Sequence, residues 1–458
     1  MRSTQPDPKI LSLGPDFYDS VEPARFPKCI PRFANERWAG EVGLDLDEAG
    51  WTRHFCRFEP LPGNLTQPLA LRYHGHQFRV YNPEIGDGRG FTFAQLRDDK
   101  NRLLDLGTKG SGQTPYSRNA DGRLTLKGGV REVLATEMLE ALGVNTSKSF
   151  ALFETGEALE RGDEPSPTRS SVLTRLSHGH IRIGTFQRLA FFGDTENLGK
   201  LTRYCLENLY GEQPATNDSD NAMRLFDLVS QATAALAASY MAAGFVHGVL
   251  NSDNINITGE SFDYGPWRFT PYWEPDFTAA YFDHYGLYSF GRQPEAVHWD
   301  LAQLAGCLSI LTDAPSLSDM LSAWSERFEQ AMIAAMLKRL GIASGDNDRK
   351  IAEALIRALA SRAQTIDRIF FDWRGGRDPG SDRYPGAEFR DLAKLLEGGD
   401  WSPDHPYWSD DEPCSMHIEE VEAIWSAIAE SDDWQPFNNK VKAVRRMGEA
   451  MRQDAPAR

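Results

Sequence analysis

The chain has 458 residues, with 49 Lys and Arg against 66 Asp and Glu, so its formal net charge is −17. This acidic balance argues against a dedicated nucleic-acid binder, which would carry a basic excess. The N-terminal sequence lacks the apolar segment of a signal peptide, and no apolar run is long enough to span a membrane. The length suggests about three structural units or one large two-lobed enzyme.

The N-terminal half is predicted to be rich in β-structure. Residues 1–60 are rich in Pro, Asp and aromatic residues without periodicity, so we expect an irregular segment there. A helix is predicted over residues 127–142, because apolar residues recur at helical spacing and Gly143 follows as a stop. The predicted strands cover residues 69–73, 90–96, 103–106, 149–153 and 171–175.

From about residue 190 the pattern becomes helical. A stretch rich in Gly, Asp and Asn, from His247 to about Gly291, interrupts it, and a loop of that length is usually functional. We predict an α+β fold with an N-terminal wrap (1–66), a β-rich lobe (67–190), a helical lobe (191–380) and an acidic C-terminal region (381–458). The predicted helices cover residues 224–243, 297–311, 317–340, 350–371, 417–430 and 440–451.

Charge and cysteine are unevenly distributed. Residues 401–433 hold ten acidic residues and no Lys or Arg, whereas residues 86–190 hold 15 basic and 13 acidic residues. An anionic ligand would be repelled less by the second segment. The five Cys residues lie far apart, form no CxxC pair and are odd in number, so we expect a reduced cytoplasmic protein with neither a disulfide framework nor a zinc site.

The most informative segment reads HGVLNSDN at residues 247–254 and FDYG at residues 262–265. The catalytic loop of protein kinases reads H-R-D-x-x-x-x-N and is followed by D-F-G. In this register the two metal-binding positions fall on Asn254 and Asp263, whose oxygens suit Mg²⁺. An apolar strand is expected between them, at residues 255–257. The position of the kinase's catalytic Asp is occupied by Val249, which cannot accept a proton, but Asp253 offers a carboxylate nearby.

Other parts of a phosphate-binding site can be matched to the same template. Lys109 follows a predicted strand and Glu132 lies on the predicted helix, as in the Lys–Glu pair of kinases. Gly-rich stretches at residues 86–90 and 107–112 could approach phosphate closely, and Arg89, Arg175 and Arg182 could bind it. Each feature alone is also typical of a turn or a surface ion pair, but the ordered set favours a nucleotide site. His74, His76, His178 and His180 lack metal-ligand spacing and are expected to be structural.

These segments resemble the selenoprotein O family of protein adenylyltransferases, pseudokinases also called the YdiU family. The resemblance implies a protein-kinase-like two-lobed fold, with a β-rich N-lobe, a helical C-lobe and terminal extensions. It further implies transfer of AMP from ATP to Ser, Thr or Tyr hydroxyls of proteins, with ATP bound flipped relative to kinases. The shared segments include GHQF at 75–78, IGDGR at 85–89, DLGTKGSGQTPYSR at 105–118, REVLATEML at 131–139, HIRIGTFQ at 180–187, FVHGVLNSDNINI at 245–257 and FDYGP at 262–266.

The resemblance also assigns roles to individual residues. It makes Asp253 the expected proton acceptor, and Asn254 and Asp263 the expected ligands of Mg²⁺ or Mn²⁺. A flipped nucleotide would explain Val249, since attack at the α-phosphorus need not use the base position of a kinase. The expected partners are ATP and protein substrates, with neither nucleic acid nor membrane, and the protein is expected to be a monomer. The expected nucleotide-binding residues are Gly86, Gly88, Arg89, Lys109, Asp121, Gly122, Glu132, Arg175, Arg182 and Asp263.

Two other functions are compatible with these motifs: an atypical kinase that transfers the γ-phosphoryl group, and a non-catalytic nucleotide-binding pseudokinase. The chain also departs from the family pattern. Arg79 follows GHQF where the family often has Gly, and residues 380–458 match poorly. Some family members use a Cys near the C-terminus in redox control, whereas the last Cys here is Cys414, well inside the chain.

Overall fold

The computed structural model describes residues 4–162, 164–397 and 404–453, and within them it shows a mixed fold of an antiparallel sheet and helices. The strands β1 to β12 are Tyr18–Ser20, Ile30–Ala34, Leu69–Leu71, Gly75–Gln77, Val80–Asn82, Thr92–Arg97, Leu103–Lys109, Leu124–Thr125, Lys148–Leu159, Thr168–Ser177, Phe245–Val246 and Arg268–Phe269. The helices α1 to α14 are Glu36–Glu41, Glu48–Phe55, Leu126–Ala141, Ile183–Phe191, Thr195–Tyr204, Asp218–Ala243, Gln293–Leu308, Ala314–Ser322, Trp324–Leu340, Asp348–Ala360, Ile366–Asp372, Ala387–Leu396, Ile418–Ser431 and Gln435–Gln453.

The main sheet has eight strands, seven of them in the order β1-β3-β6-β7-β10-β9-β2, while β8 pairs with β10. All of these pairs are antiparallel. Strand β7 is buried along its whole length and lies between β6 and β10, so its final residue, Lys109, is held in the interior. The register sets Lys109 opposite Leu173, and Gly107 opposite Arg175. The sheet therefore brings two basic side chains onto neighbouring central strands.

Three apolar clusters support this arrangement. One lies between the sheet and helices α1 and α2, a second joins α9, α10, α11 and α12, and the largest joins α3 to helices α4 to α7, α13 and α14. Helix α3 begins after Thr125, whose hydroxyl accepts a hydrogen bond from the Gly128 amide, as expected of an N-cap.

None of the helices in the described part of the chain has the length and apolar character needed to cross a lipid bilayer.

The predicted helix at 127–142 is confirmed as α3, and the five predicted strands are confirmed as β3, β6, β7, β9 and β10. Several element predictions are wrong. The N-terminal segment is not irregular, because it contains helices α1 and α2 and supplies both edge strands of the main sheet. Residues 317–340 and 350–371 each break into two helices, and α4, α5 and α12 were not predicted. Residues 255–257 form a single bridge between Asn256 and Arg182 instead of a strand.

The structure also corrects the expectation that no disulfide forms. Cys29 lies just before β2 and Cys56 just after α2, and their sulfur atoms are bonded. The two residues are 27 positions apart, so no CxxC spacing marks them, and only the packing of the N-terminal segment brings them together. The remaining cysteines, Cys205, Cys307 and Cys414, are free.

Candidate active site

Four charged side chains from distant parts of the sequence meet beside the end of strand β7. The Lys109 Nζ donates to Glu132 Oε2 at 2.6 Å and lies 2.9 Å from Asp263 Oδ1. The Arg175 Nη1 lies 3.4 Å from both Glu132 Oε1 and Asp263 Oδ1. Two cations thus face two carboxylates, in a site where Glu132 is fully buried and Lys109 is only 4% exposed.

Asp263 occupies an unusual position in this cluster. Its φ of +63° lies in the left-handed region, which is uncommon for a residue other than glycine and is often found at functional sites. Burial alone would raise the pKa of its carboxyl, but Lys109, Arg175, Arg89 and Arg182 together hold that pKa well below its usual value. Asp263 is therefore ionised at neutral pH, as a metal ligand must be.

A third basic side chain, Arg182, connects the cluster to the segment that carries Asp253. Its Nη1 donates to the Asp253 carbonyl at 3.0 Å, and its Nη2 lies 3.5 Å from Asp87 Oδ1. The guanidinium stacks on Tyr73 at 4.1 Å from the ring centre. Its Nε, like that of Arg175, is buried without a hydrogen-bond acceptor among the described residues. Such incompletely bonded guanidinium groups are suited to binding phosphate oxygens.

Asp253 lies in the short turn Ser252–Asn254 and is 7% exposed. Its Oδ1 is buried and accepts no hydrogen bond from the described residues. Burial raises the pKa of this carboxyl to about 6, against the opposing effect of Arg182. Asp253 is therefore a stronger base than an ordinary Asp and is still ionised at neutral pH.

Asn254 and Asp263 are the residues present that fit a metal ion. The amide nitrogen of Asn254 donates to the Val249 carbonyl at 3.0 Å, so its amide oxygen is the atom left to bind a cation. Within the described ranges, no group of three or more His, Cys, Asp or Glu side chains is arranged to hold a metal. One carboxylate and one amide oxygen fit Mg²⁺, which binds through few protein ligands and takes others from substrate phosphates.

The two Gly-rich stretches lie against each other. The Arg89 carbonyl accepts hydrogen bonds from the amides of Gly110 and Ser111, which places Arg89 beside the end of β7. Gly86 and Gly88 pack against Tyr116, where a Cβ would come within 3 Å of its ring and its carbonyl respectively. These contacts show a structural need for both glycines, in addition to any role near phosphate.

Asp121 and Gly122 lie at the border of the site. The Gly122 carbonyl accepts a hydrogen bond from the Gly112 amide, three residues after Lys109. The Asp121 carboxylate pairs with Arg161 at 2.9 Å and not with the charged cluster. Both Asp121 and Gly112 line an open cleft of about 780 Å³. The structure thus places Asp121 in a cleft beside the loop that follows β7, but among the described residues its carboxylate makes no ion pair with the cluster around Lys109.

The residues that hold the loop containing Asp253 are not predicted by the sequence motifs. The backbone amides of His76 and Phe78 donate to Ser252 Oγ and Asn251 Oδ1 at 2.7 and 3.0 Å, and Ser252 Oγ donates to Gln187 at 2.6 Å. His76 and Phe78 lie in the segment GHQF and Gln187 lies in HIRIGTFQ, so the resemblance of these segments to the family was the one sign of their importance. The β4–β5 hairpin thus supports the loop that contains Asp253.

Comparisons with known proteins identify the family of this chain. The profile of a family described as protein adenylyltransferase SelO matches residues 1–380. A curated relative from Synechocystis sp., named protein nucleotidyltransferase YdiU, is 40% identical over 473 residues, covering 96% of this chain and 97% of the relative. A relative of the same name from Gloeobacter violaceus is 41% identical over 468 residues, covering 96% and 95%.

The alignments with these relatives extend past residue 380, where the match to the family profile ends. A relative from Synechococcus elongatus, also named protein nucleotidyltransferase YdiU, is 45% identical over 365 residues, covering 78% of this chain and 73% of the relative. The chain therefore belongs to the SelO family of protein adenylyltransferases, a family of nucleotidyltransferases.

Proposed function

We propose that this protein transfers AMP from ATP to Ser, Thr or Tyr hydroxyls of other proteins, with Mg²⁺ or Mn²⁺ bound at Asn254 and Asp263. The observation that carries the proposal is the convergence of Lys109, Arg175 and Arg182 with Asp263, next to a buried Asp253. In this proposal the fold is kinase-like, with residues 67–190 as the N-lobe and 191–380 as the helical C-lobe.

In the proposed reaction, the acceptor hydroxyl oxygen attacks the α-phosphorus of ATP. The bond from that phosphorus to the bridging oxygen of pyrophosphate breaks, and the hydroxyl proton passes to the Asp253 carboxylate. Lys109, Arg175 and Arg182 stabilise the charge that develops on the departing pyrophosphate, while Glu132 orients Lys109. A bound Mg²⁺ would neutralise phosphate charge and align the triphosphate.

The nucleotide in this proposal lies reversed relative to its orientation in kinases. Val249 occupies the position of the kinase base, so a γ-phosphoryl transfer of the usual geometry would lack a proton acceptor. Asp253 lies four residues further along, and its carbonyl accepts a hydrogen bond from Arg182. A reversed nucleotide would present its α-phosphorus to Asp253.

The decisive experiment compares ATP labelled at the α- and at the γ-phosphorus, incubated with the protein, Mg²⁺ or Mn²⁺, and a lysate as a source of acceptors. We expect protein-bound label from α-labelled ATP only. Label from γ-labelled ATP alone would show a kinase, and tight ATP binding with no label would show a non-catalytic pseudokinase. Asp253→Ala should bind ATP and lose transfer by about 10²- to 10⁴-fold, whereas Asp263→Ala should lose both transfer and metal-dependent binding.

A further inference from the structure

The C-terminal helices pack directly on α3, the helix that carries Glu132. One face of α14 is buried, and Gly448 on that face lies so close to α3 that a Cβ there would be 3.1 Å from the Ala141 Cα. The apolar residues buried on this face are Phe437, Val441, Val444, Met447 and Ala450. Since the contact is close and mostly apolar, α3 cannot shift without disturbing α14.

An ion pair connects the same two helices. The Arg445 guanidinium of α14 makes two hydrogen bonds to the Glu137 carboxylate of α3, at 2.8 and 2.7 Å. Glu137 is only 4% exposed, so this carboxylate depends on Arg445 for compensation of its charge. A paired guanidinium and carboxylate also fix the relative orientation of the two elements.

The acidic residues of the C-terminal region pair with basic residues of the N-terminal half. Glu422 of α13 lies 2.7 Å from Lys127, in the first turn of α3. Asp432, which follows α13, lies 2.7 Å from Arg169 and 3.2 Å from Arg32, on strands β10 and β2. The acidic excess at residues 401–433 thus serves in part to anchor this region to the sheet and to α3, where it is described.

Glu137 and Glu132 use different sides of one helix. Five residues correspond to a rotation of about 140°, so the two carboxylates project to nearly opposite faces. One face meets Lys109, and the other meets Arg445. In kinases the Lys–Glu pair forms only when its helix is correctly positioned, so whatever holds α3 also controls this pair.

We propose that α13 and α14, called the brace below, hold α3 in the position that joins Glu132 to Lys109, and that Arg445 is a positioning residue for nucleotide binding. The family profile ends at residue 380, so the brace lies beyond the part of the chain that it covers. The proposal rests on the proposed role of Lys109 in ATP binding. It gives the acidic C-terminal region a function, which is to hold α3 so that Glu132 pairs with Lys109 in the phosphate site.

The test is a double-mutant cycle on ATP affinity in the full chain, measured with Mg²⁺ and ATP by titration calorimetry. Arg445→Ala should weaken ATP binding about tenfold in the wild-type background, but less than about twofold in a Glu132→Gln background, where the pair it supports is already impaired. Arg445→Lys should restore most of the affinity. Arg446→Ala is the matched control, because Arg446 pairs with Asp410 and not with α3.

If Arg445→Ala does not fold, Glu137→Gln replaces it in the cycle, since this change removes the buried charge and leaves no uncompensated carboxylate. Equal loss of affinity in both backgrounds, or no loss in either, would overturn the brace. Wild-type protein that binds ATP but transfers no α-label would refute only the proposed function, because the cycle would still report on the brace. Wild-type protein that binds no ATP would overturn both.

Discussion

Substitutions in the buried Lys109–Glu132 pair should affect the stability of the protein and its binding of nucleotide independently. With Asp263 and Arg175 it forms a balanced group of two cations and two carboxylates. Lys109→Met would leave two carboxylates facing one guanidinium, in a site where Glu132 is fully buried. Replacing Glu132 by Leu as well would restore one carboxylate to one cation. The single variant should therefore be destabilised, and the double variant should recover.

The size of the effect follows from the contacts. Removing one partner of a buried ion pair costs about 3–5 kcal/mol. Arg175 remains 3.4 Å from both carboxylates, so we expect the lower end, about 3 kcal/mol. At about 2.1 cal/mol/K per residue, the unfolding entropy of the 458-residue chain is about 1 kcal/mol/K, which gives a fall in Tm of about 3 °C.

The measurements are denaturant unfolding, thermal unfolding and ATP titration for the wild type, Lys109→Met and Lys109→Met/Glu132→Leu. The double variant should be at least as stable as the wild type, since apolar groups often replace a buried ion pair without loss, yet it should not bind ATP. Arg349→Met is the control, because Arg349 and Glu329 form an exposed pair whose loss should leave the stability nearly unchanged. A double variant as unstable as the single one, or one that binds ATP normally, would refute the reasoning.

Two further predictions concern stability. Burial raises the pKa of Glu260 to about 7, above its unfolded value of 4.5. The unfolded chain therefore releases this proton at a lower pH than the folded protein does. Stability should fall by about 3 kcal/mol as pH rises from about 4.5 to 7 and then level off, and Glu260→Gln should abolish that part of the pH dependence in urea unfolding. The Cys29–Cys56 disulfide closes a loop of 27 residues, so chain entropy predicts a loss of about 3.5 kcal/mol in Cys29→Ser. A Tm that is the same with and without reductant would contradict the disulfide.

The sequence was most informative about local patterns and chemical types. Helix α3 could be predicted because the spacing of its apolar residues reports directly on the face that it buries. The register of Asn254 and Asp263 could be predicted because it depends on counting along a short segment. Helix α4 could not be predicted from periodicity, because its residues 183–187 are buried on all sides and so show no alternation of apolar and polar faces.

By itself the sequence determined which side chains are available for phosphate chemistry, namely Lys109, Glu132, Arg175, Arg182, Asp253, Asn254 and Asp263, and their order along the chain. Only the tertiary structure decided which of them meet. Lys109 and Glu132 are 23 residues apart, and Arg445 and Glu137 are 308 apart. A local pattern reports which face of an element is buried but not which distant element covers it. That choice depends on how the sheet and helices pack together, and this packing is what closes the site and joins the acidic C-terminal region to it.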